Sequence, residues 1–95
     1  MAIRLNNEEV AAIKQIILGL DPQAAIYLFG SRTKADRRGG DIDLLCLSGQ
    51  LDEEDGRKIR IRLQDRLGEQ KIDLILAPSL NTPFLRMIIE EAVPL

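Results

Sequence analysis

The sequence predicts an α+β domain of two layers, in which a small mixed β-sheet is backed by helices in the order αββαβα. Three observations lead there. Apolar residues recur at helical spacing in three separate segments. Three short apolar runs, rich in Ile and Leu, stand between turns that carry Gly, Pro, Asn or Ser. The second and third runs enclose a helix, whereas only a short basic loop joins the first and second. A helix between two strands predicts a parallel pair with a right-handed crossover. The short loop predicts an antiparallel pair.

Each element has its own signal. Asn6 and Asn7 are N-cap residues ahead of the acidic Glu8 and Glu9. Val10, Ile13, Ile17 and Leu20 then share a face, so the spacing predicts a helix over residues 7–19. Gly19 and the pair Asp21 and Pro22 are its stop signals. "AAIYLF", residues 24–29, reads as the first strand, with Tyr27 and Phe29 assigned to the core. Residues 30–40 form a basic loop that carries glycine at both ends and a helical turn after Ser31. "DIDLLCL", residues 41–47, is the second strand, and "SGQ" turns the chain. Ile59, Leu63 and Leu67 define a helix over residues 52–67, ended by Gly68. "KIDLILA", residues 71–77, is the third strand. "NTP" caps a last helix with Pro83 in its first turn. Its apolar stripe, Phe84, Leu85, Ile88, Ile89 and Ala92, is assigned mainly to the core. The open edge of strand one or strand three leaves homo- or hetero-oligomerisation open.

Composition narrows the chemistry. Residues 1–95 read as one domain, 45% hydrophobic and 29% charged, with an aliphatic core because aromatics make up only 3%. A net charge of -2 argues against a binder of long nucleic acid. There is no histidine, which removes the commonest general base and histidine-ligated zinc together. The single cysteine, Cys46, excludes an internal disulfide and reads as a small apolar residue in a buried strand. No apolar run reaches the length of a membrane span, and Glu8 and Glu9 interrupt any signal-peptide pattern, so the expected location is the cytoplasm.

The chemistry concentrates in "LFGSRTKADRRGGDIDLLCL", from Leu28 to Leu47. Strands tend to exclude Asp, yet the second strand carries Asp41 and Asp43 on one face. In the predicted topology the start of strand two lies beside the end of strand one and the start of strand three. Gly30 and Ser31 then adjoin Asp41, and Asp73 in "KIDLIL" matches Asp43 in "DIDLLC". Three converging carboxylates repel one another unless a cation neutralises them. Oxygen-only ligands favour Mg²⁺ or Mn²⁺, and carboxylates that share divalent ions with substrate phosphates form an arrangement for in-line phosphoryl displacement. Gly30 permits close backbone approach to a phosphate, Ser31 offers a hydroxyl and an amide, and Arg32 adds positive charge. Lys34, Arg37 and Arg38 are either further phosphate contacts or a solvated loop.

"GSRTKADRRGGDIDL" with the later "KIDLIL" resembles the DNA polymerase beta-like nucleotidyltransferase superfamily. The likeness covers essentially the whole chain, which at this length resembles the minimal nucleotidyltransferases. The resemblance implies the polymerase beta-like fold. It also implies that Gly30 and Ser31 hold the triphosphate, that Asp41 and Asp43 bind both metal ions, and that Asp73 completes one metal site and helps to activate the acceptor hydroxyl. Minimal nucleotidyltransferases are commonly encoded beside a helical HEPN-domain protein. The resemblance therefore implies an antitoxin that transfers AMP from ATP, with two bound ions, to a tyrosine of a HEPN-domain toxin, as in the better-understood pairs. Two other readings stay open: a non-catalytic antitoxin that works by occlusion, and a small-molecule transferase of the antibiotic-modifying type. The latter usually carries a further helical domain for its acceptor.

Overall fold

Helix α1 (Asn7–Leu20) begins at a reciprocal cap. The Asn6 side chain accepts from the Glu9 amide at 2.8 Å, and the Glu9 carboxylate accepts from the Asn6 amide at 3.0 Å. Its end corrects the sequence reading. Gly19 stays helical, and the chain leaves the helix at Asp21, whose backbone is extended at φ −144° and ψ 102°. A single glycine weakens a helix without ending it. Pro22 excludes the residue before it from helical geometry, and that sets the boundary. The computed structural model describes residues 5–30, 42–68 and 70–95.

The strands are β1 (Ala25–Phe29), β2 (Ile42–Leu47), β3 (Ile72–Ala77) and a short β4 (Val93–Pro94). Helix α2 (Glu53–Leu67) lies between β2 and β3, and α3 (Pro83–Glu91) between β3 and β4. The sheet order is β3-β2-β1-β4. β1 runs antiparallel to β2, and β2 runs parallel to β3, as the sequence predicts. β4 was not foreseen, since two residues with a proline give no periodic signal. It pairs Val93 with Leu28 and Pro94 with Tyr27, and the Leu95 amide donates to the Ile26 carbonyl at 2.9 Å. Pro94 is tolerated because β4 is an edge strand. β4 thereby covers the side of β1 that the sequence left open and leaves β3 as the other edge. There the Arg60 guanidinium donates to the Leu74 carbonyl at 2.9 Å, a charged guard against strand addition.

The two faces of the sheet are covered differently. Ile42, Leu44 and Cys46 of β2 meet Ile13 and Ile17 of α1 and Ile59 and Leu63 of α2 in the main core. The opposite face has a smaller cluster in which Leu85 of α3 packs with Leu45 and Ala77, flanked by Tyr27, Phe29, Ile88 and Ile89. Helix α3 thus adds partial cover to the second face of the predicted α+β arrangement. Part of its expected core stripe is corrected: Phe84 is 57% exposed, and Met87 beside it is 63% exposed. Only Leu85 of α3 is buried, because a nine-residue helix laid on the sheet can seat only a narrow stripe. Leu85→Ala is expected to cost about 2–5 kcal/mol, measured by denaturant melts. Phe84→Ala is expected to fall within about 0.5 kcal/mol of wild type.

A polar clamp joins the ends of the core elements. The buried Asp21 carboxylate accepts from the Ser48 hydroxyl at 2.5 Å and from the Gln23 amide at 3.0 Å. The Ser48 oxygen in turn accepts from the Gln50 and Leu51 amides, each at 3.1 Å. This leads the chain towards α2, whose N-cap Asp52 exchanges hydrogen bonds with Asp55. The Asp55 amide holds the Asp52 carboxyl below its ordinary range. Gly68, at φ 79°, closes α2.

Cys46 is fully buried, as the sequence predicts. Burial first, and then the negative charge of Asp21, push its thiol up to about 11. The unfolded thiol ionises near 9.0, so between these values the unfolded chain releases a proton that the folded protein retains. This contribution is complete below pH 9 and is lost as pH rises towards 11, by about 2–3 kcal/mol in all. Melting temperatures of wild type and Cys46→Ala over that range are expected to converge at high pH. Among the described residues no helix is long and apolar enough to cross a membrane.

Candidate active site

The register places the candidate residues in one row. Phe29 of β1 faces Asp43 of β2, and Asp43 is the Cα partner of Asp73 on β3. Neighbouring strands stand about 4.8 Å apart, so the two aspartates are lateral neighbours on one face. That face is the one α3 covers in part: Asp43 and Asp73 share their phase with Leu45 and Ile75, which belong to the α3 cluster. The carboxylates lie at the beginning of β2 and β3. Asp73 is exposed and Asp43 half-buried.

Gly30 follows directly on β1 and has a positive φ of 78°. A Cβ built on it would overlap the Asp43 Oδ2 atom and would stand 3.2 Å from the Asp43 Cγ. The sequence reading gave this glycine one task, close approach of backbone to a phosphate. The structure adds two requirements: a left-handed backbone, and clearance for the Asp43 carboxylate. Glycine meets both, and it keeps the end of β1 in contact with the acidic row.

Three of the six candidate positions, Gly30, Asp43 and Asp73, are therefore brought together. Ser31, Arg32 and Asp41, with Lys34, Arg37 and Arg38, lie outside the described residues. Among the described residues no three acidic, histidine or cysteine side chains gather as a metal-binding group. Asp43 and Asp73 supply two carboxylates, and the third of the expected set, Asp41, precedes the described start of β2. The donors present are carboxylate oxygens, and a chain without histidine offers no competing imidazole. That donor chemistry fits a hard divalent cation.

The structure also shows neighbours of the site that the sequence reading passed over. A recess of about 430 Å³ beside Gly30 is lined by Phe29, Met87, Ile88, Glu90 and Glu91. Phe29, which the sequence assigns to the core, is half-buried: it packs against the α3 cluster and also borders this recess. Met87 and Glu91 lie four apart on α3, Met87 and Glu90 three apart, so helical spacing holds them together.

The geometry and the motif agree with an independent comparison. No curated protein matches the chain. A family model described as "Polymerase beta, Nucleotidyltransferase" matches residues 11–95, which take in most of α1, every strand and both later helices. The paired aspartates, the glycine packed against one of them and the mixed sheet that aligns them are thus features of a chain that belongs to the polymerase beta nucleotidyltransferase family.

Proposed function

We propose that the protein transfers a nucleoside monophosphate, AMP from ATP, to a hydroxyl group of a partner protein. The observation that carries this reading is the cross-strand pair Asp43 and Asp73 with Gly30 packed against Asp43. The family supplies the reaction class, nucleotidyl transfer. The resemblance to minimal nucleotidyltransferases supports a tyrosine of a HEPN-domain toxin as acceptor, with the chain as its antitoxin in the cytoplasm.

Each residue then has a task. Gly30 and Ser31 hold the β- and γ-phosphates, with Arg32 as counter-charge. Asp41, Asp43 and Asp73 are the ligands for Mg²⁺ or Mn²⁺. When bound, the ions screen the triphosphate and lower the pKa of the acceptor hydroxyl. Asp73 faces solvent on the edge strand, so an acceptor carried by another protein reaches it without crossing the sheet. The acceptor oxygen forms its bond to the α-phosphorus as the α–β bridging bond breaks. Pyrophosphate leaves towards Gly30, and the hydroxyl proton passes to the Asp73 carboxylate and on to solvent.

Labelled ATP, Mg²⁺ and the HEPN-domain partner provide the test. Label is expected on the partner, at a mass increase of one AMP, and is expected to vanish in EDTA together with ATP affinity by calorimetry. Neutralisation of the partner without any transfer by the wild type would replace this reading with neutralisation by occlusion. ATP affinity unchanged in EDTA would remove the metal from it.

A further inference from the structure

The recess beside Gly30 combines an apolar wall, Phe29, Met87 and Ile88, with the two carboxylates of Glu90 and Glu91. We infer that it seats the nucleobase of the bound nucleotide, and that Glu90 and Glu91 select bases that carry an amino group over uracil. The inference rests on the nucleotidyltransferase reading above and adds the substrate preference.

Position is the first support. Gly30 lines the recess and also touches the Asp43 carboxylate. Phe29, on the recess wall, is the direct cross-strand neighbour of Asp43. The recess therefore opens about one strand spacing from the acidic row, at the end opposite Asp73. A nucleotide with its reacting phosphorus at the carboxylates and its acceptor at Asp73 has this side left for its nucleoside.

Chemistry is the second. The acidic rim repels a triphosphate, and among the described residues neither Glu90 nor Glu91 is ion-paired. The last turn of α3 has no basic residue, and the negative end of the helix adds to the rim. Phosphates are thus turned towards Gly30, and the uncharged end of the nucleotide faces the recess. Met87, 63% exposed, and Phe29 give a base polarizable apolar surface to lie against. Carboxylates only accept hydrogen bonds. Adenine and cytosine present an amino donor on the edge where uracil, like thymine, presents a carbonyl oxygen.

Calorimetry in Mg²⁺ with tripolyphosphate, ATP, CTP and UTP tests this on wild type, Met87→Ser and the double variant Glu90→Gln/Glu91→Gln. All three side chains are exposed, so the fold tolerates the changes. Wild type is expected to prefer ATP and CTP to UTP by about tenfold, the worth of one hydrogen bond to a charged group. The double variant is expected to lose that preference. Met87→Ser is expected to weaken every nucleotide and leave tripolyphosphate unchanged. Equal affinity of wild type for ATP and UTP, or a preference that survives the double variant, overturns the inference. Tripolyphosphate bound as tightly as ATP also overturns it while leaving the phosphate site standing. If neither tripolyphosphate nor any nucleotide binds, the nucleotidyltransferase reading falls and takes the inference with it.

Discussion

Asp73→Asn is expected to lower the proposed transfer to the partner by at least about a hundredfold, the scale of losing a positioned proton acceptor, and to leave ATP–Mg²⁺ affinity close to wild type. The asymmetry follows from the sheet. Asp43 lies on β2, flanked by β1 and β3, half-buried and in contact with Gly30. Asp73 occupies the same row one strand further out, on the edge, and is exposed. Asparagine preserves shape and removes one negative charge, and an exposed position makes the cost in stability no more than about 0.5 kcal/mol. In the proposed mechanism Asp41 and Asp43 remain for the triphosphate, whereas the acceptor loses its carboxylate. Asp43→Asn, in contrast, is expected to weaken binding and transfer together. Calorimetry for binding and a mass-spectrometric transfer assay separate the two variants. Transfer by Asp73→Asn at the wild-type rate would remove Asp73 from the reaction.

The alignment of Asp43 with Asp73 was legible in the sequence because strands have a period of two. Once "DIDLLC" and "KIDLIL" are parallel neighbours, equal positions within each run become lateral neighbours. The parallel pairing was itself legible, since a strand, helix and strand in succession admit little else. What was not legible depended on tertiary context. Phe84 and Leu85 are equally apolar, and only the narrow seat of α3 on the sheet exposes one and buries the other. β4 owes its existence to the free edge of β1, not to any propensity in "VPL". The Asp21–Ser48 clamp joins residues 27 apart, and its members read locally as turn formers. At the site, the glycine of "GS" was marked as necessary, but its contact with Asp43 needed the antiparallel register to appear.

That contact leads to the second large effect, Gly30→Ala. Alanine must adopt a φ near 78°, which costs about 1–2 kcal/mol for a residue with a Cβ. Its methyl group must also displace the Asp43 carboxylate, because the overlap is with Oδ2, backed by Cγ at 3.2 Å. Asp43 is held by strands on both sides, so the strain falls on its side chain or on the end of β1. The two costs together are expected to reach about 2–4 kcal/mol in denaturant melts without any nucleotide present. ATP–Mg²⁺ affinity is expected to fall as well, since the displaced carboxylate is one of the proposed metal ligands. A glycine needed only for approach of a phosphate would show the second effect without the first. The Asp43→Ala background separates backbone strain from side-chain overlap. It removes Oδ2 and Cγ and leaves the Asp43 Cβ at 3.4 Å, an ordinary contact. There Gly30→Ala is expected to retain only the backbone cost, about 1–2 kcal/mol, so the two substitutions are non-additive. Strict additivity would mean that Gly30 and Asp43 do not share the space the structure gives them. The end of β1 would then be tied to the acidic row by some contact other than this one.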